Sequence, residues 1–417
     1  MKRILKYPIV LLFSILVGTI CLWLAFLLPK DRMYRNVRSS MEVFYTESVY
    51  PQQVPGYKST QLDNETDAIM LLGAIFNDDS SSLEQAMKVA RIDFTSEHSC
   101  CVDLIRYAWE QKTPDHVSEY TRYWHGYMIW LKPLLLLFDY ADIRMMNMMI
   151  QVFLLFVLVK LLLERKLGRY LMPLALAVIV QNPTATAMSL QFSSIYYISI
   201  ISMIVILKYH DYFIEKNMYS FFFFALGIVT VYFDFLTYPM TALCMPIVLV
   251  LILQKNKSDW LHQLFDTLIW GICFGLGYVG MWCGKWLISS LILGENVFRE
   301  AINQMFLHTG DTVIEGNTIT KMGAIFRNVK VLLKWPYAIA LGGYFIFLCF
   351  SIDWKKAIKR IGDILPFVCV LLVPFAWLYF ASSHSSWCYW YTYRGLVATV
   401  FGGFCLMKML PQRKEND

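Results

Sequence analysis

What most restricts the fold of this chain is a series of apolar runs that recur almost to its end. They cover about residues 7–28, 143–163, 170–182, 193–207, 218–233, 240–253, 266–292, 331–350, 363–381 and 392–407. Segments of this length and composition are what a bilayer core of about 30 Å demands. With 57% hydrophobic residues, 16% charged residues and a mean hydropathy of +0.48, a single soluble domain is excluded. The expected fold is an all-α polytopic membrane protein with about ten transmembrane helices.

The first run follows Lys2, Arg3 and Lys6, exceeds a signal-peptide core, and has no small-x-small cleavage site after it. Residues 1–29 therefore read as an uncleaved first span. Residues 30–142 are mostly polar and read as a large loop with surface-lying helices, including patterns at Asp67 to Phe76 and Ser82 to Arg91. Within it, the run from Met128 to Phe138 is too short to cross unaided, so an interfacial or re-entrant segment is expected. Residues 143–293 then form a transmembrane bundle, 294–330 a second loop, and 331–417 the last spans and a short tail.

Charge sets the orientation. Lys160, Arg165, Lys166, Arg169, Lys208, Lys216, Lys255, Lys257, Lys355, Lys356, Lys359, Arg360, Lys408, Arg413 and Lys414 all fall on the N-terminal side of the membrane in this count. The opposite segments 183–192, 234–239 and 382–391 hold no Lys or Arg. By the positive-inside rule both termini are cytoplasmic and the long loop faces outward. The net charge of +6 is spread between spans, which fits this rule better than a nucleic-acid surface. Of ten cysteines, seven lie in apolar runs and none has metal-ligand spacing.

The polar and aromatic residues then collect at the outer face. They are Asp67, the stretch Arg122-Tyr123-Trp124-His125-Gly126-Tyr127, Asp234 to Pro239, Lys285, His384, and Tyr391-Thr392-Tyr393-Arg394. The stretch from Arg122 to Tyr127 is where the long loop returns to the lipid.

This order of features resembles the GT-C class of membrane glycosyltransferases, which use a polyprenyl-phosphate-linked sugar. In the lipid A aminoarabinose transferases and protein mannosyltransferases the re-entry runs from His/Lys-Pro-Pro-Leu through a short apolar run to Phe-Gly, an Arg and a span. Here the similar run is His125-Gly126-Tyr127, Met128 to Phe138, and Ala141-Asp142-Ile143-Arg144, without the Pro-Pro. Residues 1 to about 165 carry the resemblance. The chain also looks like a group of uncharacterised membrane proteins of Gram-positive bacteria that share Tyr-Trp-His-Gly-Tyr, Asp-Phe-Leu-Thr-Tyr-Pro and Thr-Tyr-Arg.

The resemblance implies sugar transfer at the outer face of a bacterial cytoplasmic membrane, onto a cell-envelope glycan, lipid or secreted acceptor. Such transfer needs a carboxylate for the acceptor hydroxyl, cations for the departing phosphate, and aromatic faces for the sugar. Asp67 is the expected base, with Glu65, Asp78 and Asp79 as alternates. Against it stands the plain reading of a helix start in which Thr66 caps and Asp67 complements the dipole. Arg394 is the first phosphate cation and Lys285 the second, followed by Arg122 and Arg144; an interfacial Arg can equally snorkel to headgroups. Tyr123, Trp124, His125, Tyr127, Asp234, Tyr238, His384, Tyr391 and Tyr393 are the substrate-binding candidates, although the aromatics also suit an interfacial belt. No His and carboxylate pair has ligand spacing, so no cofactor or metal is expected, while the class itself is divided on metal use. Two other readings use the same residues: a transporter or flippase of a lipid-linked or anionic solute, and a non-enzymatic envelope assembly protein.

Overall fold

The structure, a computed structural model, describes residues 5–94, 99–255 and 259–413. Lys2, Arg3, Lys257 and Lys414, all part of the charge pattern, lie outside the described residues.

The first apolar run becomes α1 (Lys6–Phe26), and the chain turns at Pro29 into α2 (Lys30–Ser39) and α3 (Met41–Glu47). The loop expected after it is a folded domain. It holds α4 (Asn64–Ile75), α5 (Ser82–Lys88, opened by a Ser81/Glu84 capping box) and α6 (Cys100–Ala108). An antiparallel ribbon of β1 (Arg91–Asp93) and β2 (His116–Ser118) closes its far side. Met33, Val37, Leu71, Ile75, Met87 and Leu104 make a core that runs on into Leu22 and Phe26 at the end of α1. Burial of these side chains is worth about 1.5–3 kcal/mol each, which makes the segment an ordered cap on one end of the bundle. The expected short element follows as α7 (Met128–Leu135), eight residues long.

The bundle begins with α8 (Tyr140–Glu164), α9 (Leu171–Gln181), α10 (Pro183–Met188) and α11 (Leu190–Glu215). It continues with α12 (Tyr219–Phe233), α13 (Met240–Gln254) and α14 (Trp260–Leu293). Nearly every residue of α13 is buried, so it forms the bundle axis. Across α12 and α14, a Cβ on Gly227 would sit 2.1 Å from the Phe274 carbonyl, and one on Gly277 2.1 Å from the Phe224 carbonyl. The two backbones meet because neither position carries a side chain.

The second loop folds as α15 (Val297–Thr309) and a hairpin of β3 (Thr312–Ile314) and β4 (Asn317–Ile319). Then come α16 (Lys321–Leu332), α17 (Trp335–Ser351), α18 (Trp354–Ile358), α19 (Leu365–Phe380), α20 (Ser382–Trp387), α21 (Tyr389–Thr392) and α22 (Val397–Met409).

All ten apolar runs are helical, yet they are unequal. Five described helices are long and apolar enough to cross a membrane: α1, α8, α11, α14, and α19 with the turn before it (Ile361–Phe380). A sixth crossing exists if α16 and α17, bent by 84°, count as one span. The other four runs give α9, α12, α13 and α22, of 11, 15, 15 and 13 residues. At 1.5 Å per residue these reach roughly 16–22 Å, short of a core of about 30 Å. Among the described residues, the ten expected spans therefore become five or six helices long and apolar enough to cross, with shorter apolar helices packed among them.

Candidate functional site

The segment Asp63 to Asp67 opens α4 and ties three helix starts together. Asp63 is the N-cap of α4, accepting from the Thr66 N–H at 2.9 Å, so the cap is Asp63 and not Thr66. Glu65 accepts from the Cys100 N–H at 2.9 Å and thereby caps α6. Asp67 reaches α11, accepting from the N–H groups of Leu190 at 2.9 Å and Gln191 at 3.3 Å. The Tyr140 hydroxyl at the start of α8 adds a third donor at 2.6 Å. Between them, Asn64 accepts from Arg144 at 2.6 Å, and Arg144 pairs with Glu47 at 2.9 Å over the Tyr140 ring. Each carboxylate meets the positive end of a helix, the placement that helix dipoles favour.

Asp63 and Asp67 are fully buried and share Gln191, whose side-chain amide donates to Asp63 while its backbone donates to Asp67. Burial pushes Asp63 up to about 7 and Asp67 up to about 6. For Asp67 the nearby Arg144 and the Tyr140 hydroxyl oppose that rise. The alternates lie apart: Asp78 accepts from the Ser80 N–H at 2.8 Å in a surface turn, and Asp79 is exposed.

Residues 190–192 also connect the acids to the expected cation. Phe192 lies beneath the Arg394 guanidinium at 4.4 Å, its carbonyl accepts from the Tyr238 hydroxyl, and its ring meets Tyr391 at 5.5 Å. Arg394 is fully buried and spends its three nitrogens on carbonyls: Nε on Gln181 at 2.8 Å, and the others on Trp390 and Ser59 at 3.0 Å. Tyr393 beside it donates to the Val180 carbonyl at 3.0 Å. Asp67, Arg144, Arg394, Tyr238, Tyr391 and Tyr393 thus form one group around the first turn of α11.

The stretch Tyr123 to Tyr127 forms a second group. His125 takes a positive φ of 52°, and Gly126 after it runs against α12, where its N–H donates to the Tyr232 carbonyl at 3.0 Å. A Cβ on Gly126 would fall 2.4 Å from that carbonyl oxygen, so the turn needs glycine. His125 Nε2 contacts the Tyr120 carbonyl at 2.8 Å, which must accept, leaving Nδ1 to accept from the Tyr127 hydroxyl at 2.9 Å. Burial lowers His125 to about 3, so the ring is neutral. Trp124 Nε1 donates to the Met281 carbonyl at 2.7 Å, and Lys285 stands 5.7 Å over its ring. Lys285 is fully buried and donates to the Met87 carbonyl at 2.9 Å, at the last turn of α5. Arg122 stacks on Tyr120 and Tyr123 and pairs with Glu300 of α15 at 2.8 Å.

Asp234 stays with its own loop: its carboxylate accepts from the Thr237 N–H at 3.1 Å and from the Thr237 hydroxyl. That loop bridges the two groups. Phe235 contacts Tyr123 and His125, and the Leu236 carbonyl accepts from His384 Nε2 at 2.9 Å, while the His384 ring meets Tyr391 at 5.9 Å. Burial lowers His384 to about 4.

Two apolar clefts adjoin these groups. One, of about 570 Å³, lies between α8, α11 and α12 and includes Ile143, Asn147, Ser194 and Tyr197. Asn147 donates to the Ala187 carbonyl at 2.6 Å and to Ser193 at 2.7 Å, and accepts from Tyr197, so its amide is held by protein groups at the wall of an otherwise apolar cleft. The other, of about 350 Å³, lies between α14, α15 and the end of α19 beside Arg122 and Tyr123.

Sequence reasoning missed Asp63, Tyr140, Asn147 and Gln191. Asn147 and Gln151 sit four apart inside an apolar run, a pattern that marks functional or packed polar positions in spans and was there to be read. Asp63 had no such signal, since its partner is 128 residues away. Among the described residues, no group of three His, Cys, Asp or Glu could hold a metal ion. Compared with known proteins, the chain matches no family model, no curated protein and no solved structure.

Proposed function

We propose that this chain is an integral membrane glycosyltransferase that moves a sugar from a polyprenyl phosphate to a cell-envelope acceptor. It would act at the outer face of a bacterial cytoplasmic membrane, with both termini cytoplasmic. The observation that carries the reading is the placement of the 570 Å³ cleft along α8, the helix whose Tyr140 hydroxyl donates to Asp67 of the buried acid pair. On α8, Tyr140 holds Asp67, and Ile143 and Asn147 line the cleft on the same face. Seven residues of helix separate Tyr140 from Asn147, a rise of about 10 Å. A lipid chain lying in the cleft would bring its phosphate to the level of the carboxylates.

In the proposed step the acceptor hydroxyl oxygen attacks the anomeric carbon and gives its proton to Asp67 or its neighbour Asp63. The bond from that carbon to the carrier phosphate breaks, and the carrier leaves with the electron pair as polyprenyl phosphate. Carboxyls held near neutrality by burial suit a base at physiological pH. Arg144 and Arg394 place positive charge around the same helix start, and Lys285 does so beside the Tyr123 to Tyr127 wall.

Membranes containing the protein should transfer radiolabelled sugar from a polyprenyl phosphate donor, with a loss of about 10²-fold or more in Asp67→Asn or Asp63→Asn. No transfer by wild-type protein across a panel of polyprenyl-phosphate sugars would overturn the reading. Full activity in both variants would overturn the base.

A further inference from the structure

At the end of the bundle away from the loop domain, where α11 and α13 finish and α14 begins, lies a third cavity of about 220 Å³. Unlike the two apolar clefts, it is largely polar. Phe213, Tyr219 and Trp270 give it three rings. Tyr219 is fixed among them, meeting Phe213 edge-on at 5.4 Å and Trp270 at 5.3 Å, with its hydroxyl 2.6 Å from His210 Nδ1. Asn217, Gln254, His262 and Asp266 supply the polar lining.

Asp266 sets the charge of this cavity. It sits in the second turn of α14, a helix long and apolar enough to span, and its neighbours Phe265, Leu268 and Ile269 are exposed on the lipid side. A carboxylate in such a helix needs a partner or a wet cavity. Among the described residues its charged partner is His262 one turn earlier, at 3.8 Å, beyond hydrogen-bond reach and itself exposed. The Asp266 side chain keeps 31% of its surface open. The other polar groups bring oxygen too. Gln254 is buried at the end of α13, and its side-chain oxygen has no hydrogen-bond partner. Asn217 takes a φ of 50° in the turn between α11 and α12, a conformation asparagine accepts, and adds its amide.

No described Lys or Arg lines the cavity, although this end of the bundle is rich in them. Arg165, Lys216 and Lys255, at the adjoining helix ends, are engaged elsewhere: Arg165 with Asp211 at 2.8 Å, Lys216 with Glu215 at 3.0 Å, and Lys255 with the Met409 carbonyl. An open carboxylate, amide oxygens and ring faces with no cation among them are the chemistry that recognises an ammonium. An anion would be repelled by Asp266, and an apolar ligand would desolvate it without compensation. The volume suits a small head group rather than a drug-sized ligand.

We propose that this cavity binds a primary ammonium group, with Asp266 as its counter-charge, the Gln254 amide oxygen as a second acceptor, and the adjoining carbons against Tyr219 and Trp270. Two sources can bring that group here: a soluble diamine, or the head group of an aminophospholipid in the adjoining leaflet. The site does not depend on the glycosyltransferase reading, since it lies at the opposite end of α11 from the acid pair and no bond forms or breaks in it.

The test uses full-length protein in dodecyl maltoside, as wild type, Asp266→Asn and Asp266→Glu, each first shown by thermal melting to be folded. One arm measures radiolabelled putrescine by equilibrium dialysis. The other measures phosphatidylethanolamine by native mass spectrometry, against N-acetyl-phosphatidylethanolamine, which keeps the chains and phosphate but lacks the ammonium. Saturable putrescine binding, weakened at least tenfold by Asp266→Asn and largely restored by Asp266→Glu, supports the site with a soluble amine. Preference for phosphatidylethanolamine over its acetylated form by several-fold, with the same dependence on residue 266, supports the site with a lipid head group. Binding of neither probe, or binding that Asp266→Asn leaves unchanged, overturns the proposal.

Discussion

The Tyr140 hydroxyl donates to Asp67 Oδ2 at 2.6 Å, tying the start of α8 to the loop domain through the same carboxylate that caps α11. Removing that carboxylate releases two helices at once. Asp67→Ala leaves the N–H groups of Leu190 and Gln191 and a buried hydroxyl without acceptors, a loss of roughly 2–4 kcal/mol. Asp67→Asn keeps one acceptor oxygen and should lose about half as much. Thermal melting in detergent reads the difference, and an alanine variant within about 2 °C of wild type would show that the link carries no stability.

Arg394 offers a comparison between structure and substrate binding. A lysine supplies one ammonium where the guanidinium serves three carbonyls, so Arg394→Lys should cost roughly 2–4 kcal/mol, mostly from the stranded carbonyls of Gln181 and Ser59. If the variant instead melts like wild type and loses only transfer, the cation acts on the substrate and not on the carbonyls.

The membrane class, the capping loop and the short α7 follow from apolar run length alone, because a bilayer core sets a length that sequence can meet or miss. The patterns at Asp67 to Phe76 and Ser82 to Arg91 likewise appear as α4, which begins three residues earlier after its Asp63 cap, and α5, which begins at Ser82 after its Ser81 cap and ends at Lys88. Span number was less legible. The runs giving α12 and α13 are apolar on every side because they are buried among other helices, and burial in a bundle looks in sequence like burial in lipid. The partners of the charged residues were illegible for a different reason. Lys285 and Arg394 each stood out as a cation in an apolar setting, but the atoms that hold them are the backbone carbonyls of Met87 and Ser59. Every residue has such a carbonyl, so no residue type announces the partner.

Close helix contact gives a third expectation. Gly227→Ala or Gly277→Ala forces a methyl group into a carbonyl on the facing helix, and α12 and α14 must separate. Overpacking of this kind costs about 1–3 kcal/mol or more. Gly271→Ala, on the same α14 helix in open space, is the control and should melt like wild type. Equal melting of all three variants would mean the crossing is looser than described.

Acid and alkaline sensitivity should separate by residue. Asp63 and Asp67 have folded values raised to about 7 and 6, so the stability tied to their neutral forms is present below about pH 4 and is lost as pH rises toward 7. His125 and His384 are lowered to about 3 and 4, so their contribution is present above about pH 6.5 and is lost as pH falls toward those values. Melting temperature measured between pH 4 and 8 should therefore show Asp63→Asn gaining on wild type as pH rises. His125→Gln should gain on wild type as pH falls. Parallel curves for wild type and either variant would remove that residue from the titration.

The Lys285 ammonium on the Met87 carbonyl sets a condition on biogenesis. The two residues are 198 positions apart, and Trp124, which packs beneath the lysine, waits for the Met281 carbonyl on the same helix. During synthesis the segment between α1 and α7 leaves the ribosome long before α14 exists. Its α5 end and its Trp124 wall must stay without their last partners until α14 enters the bundle. The loop domain can begin its own core early, but it reaches its final form only as a late product of membrane assembly.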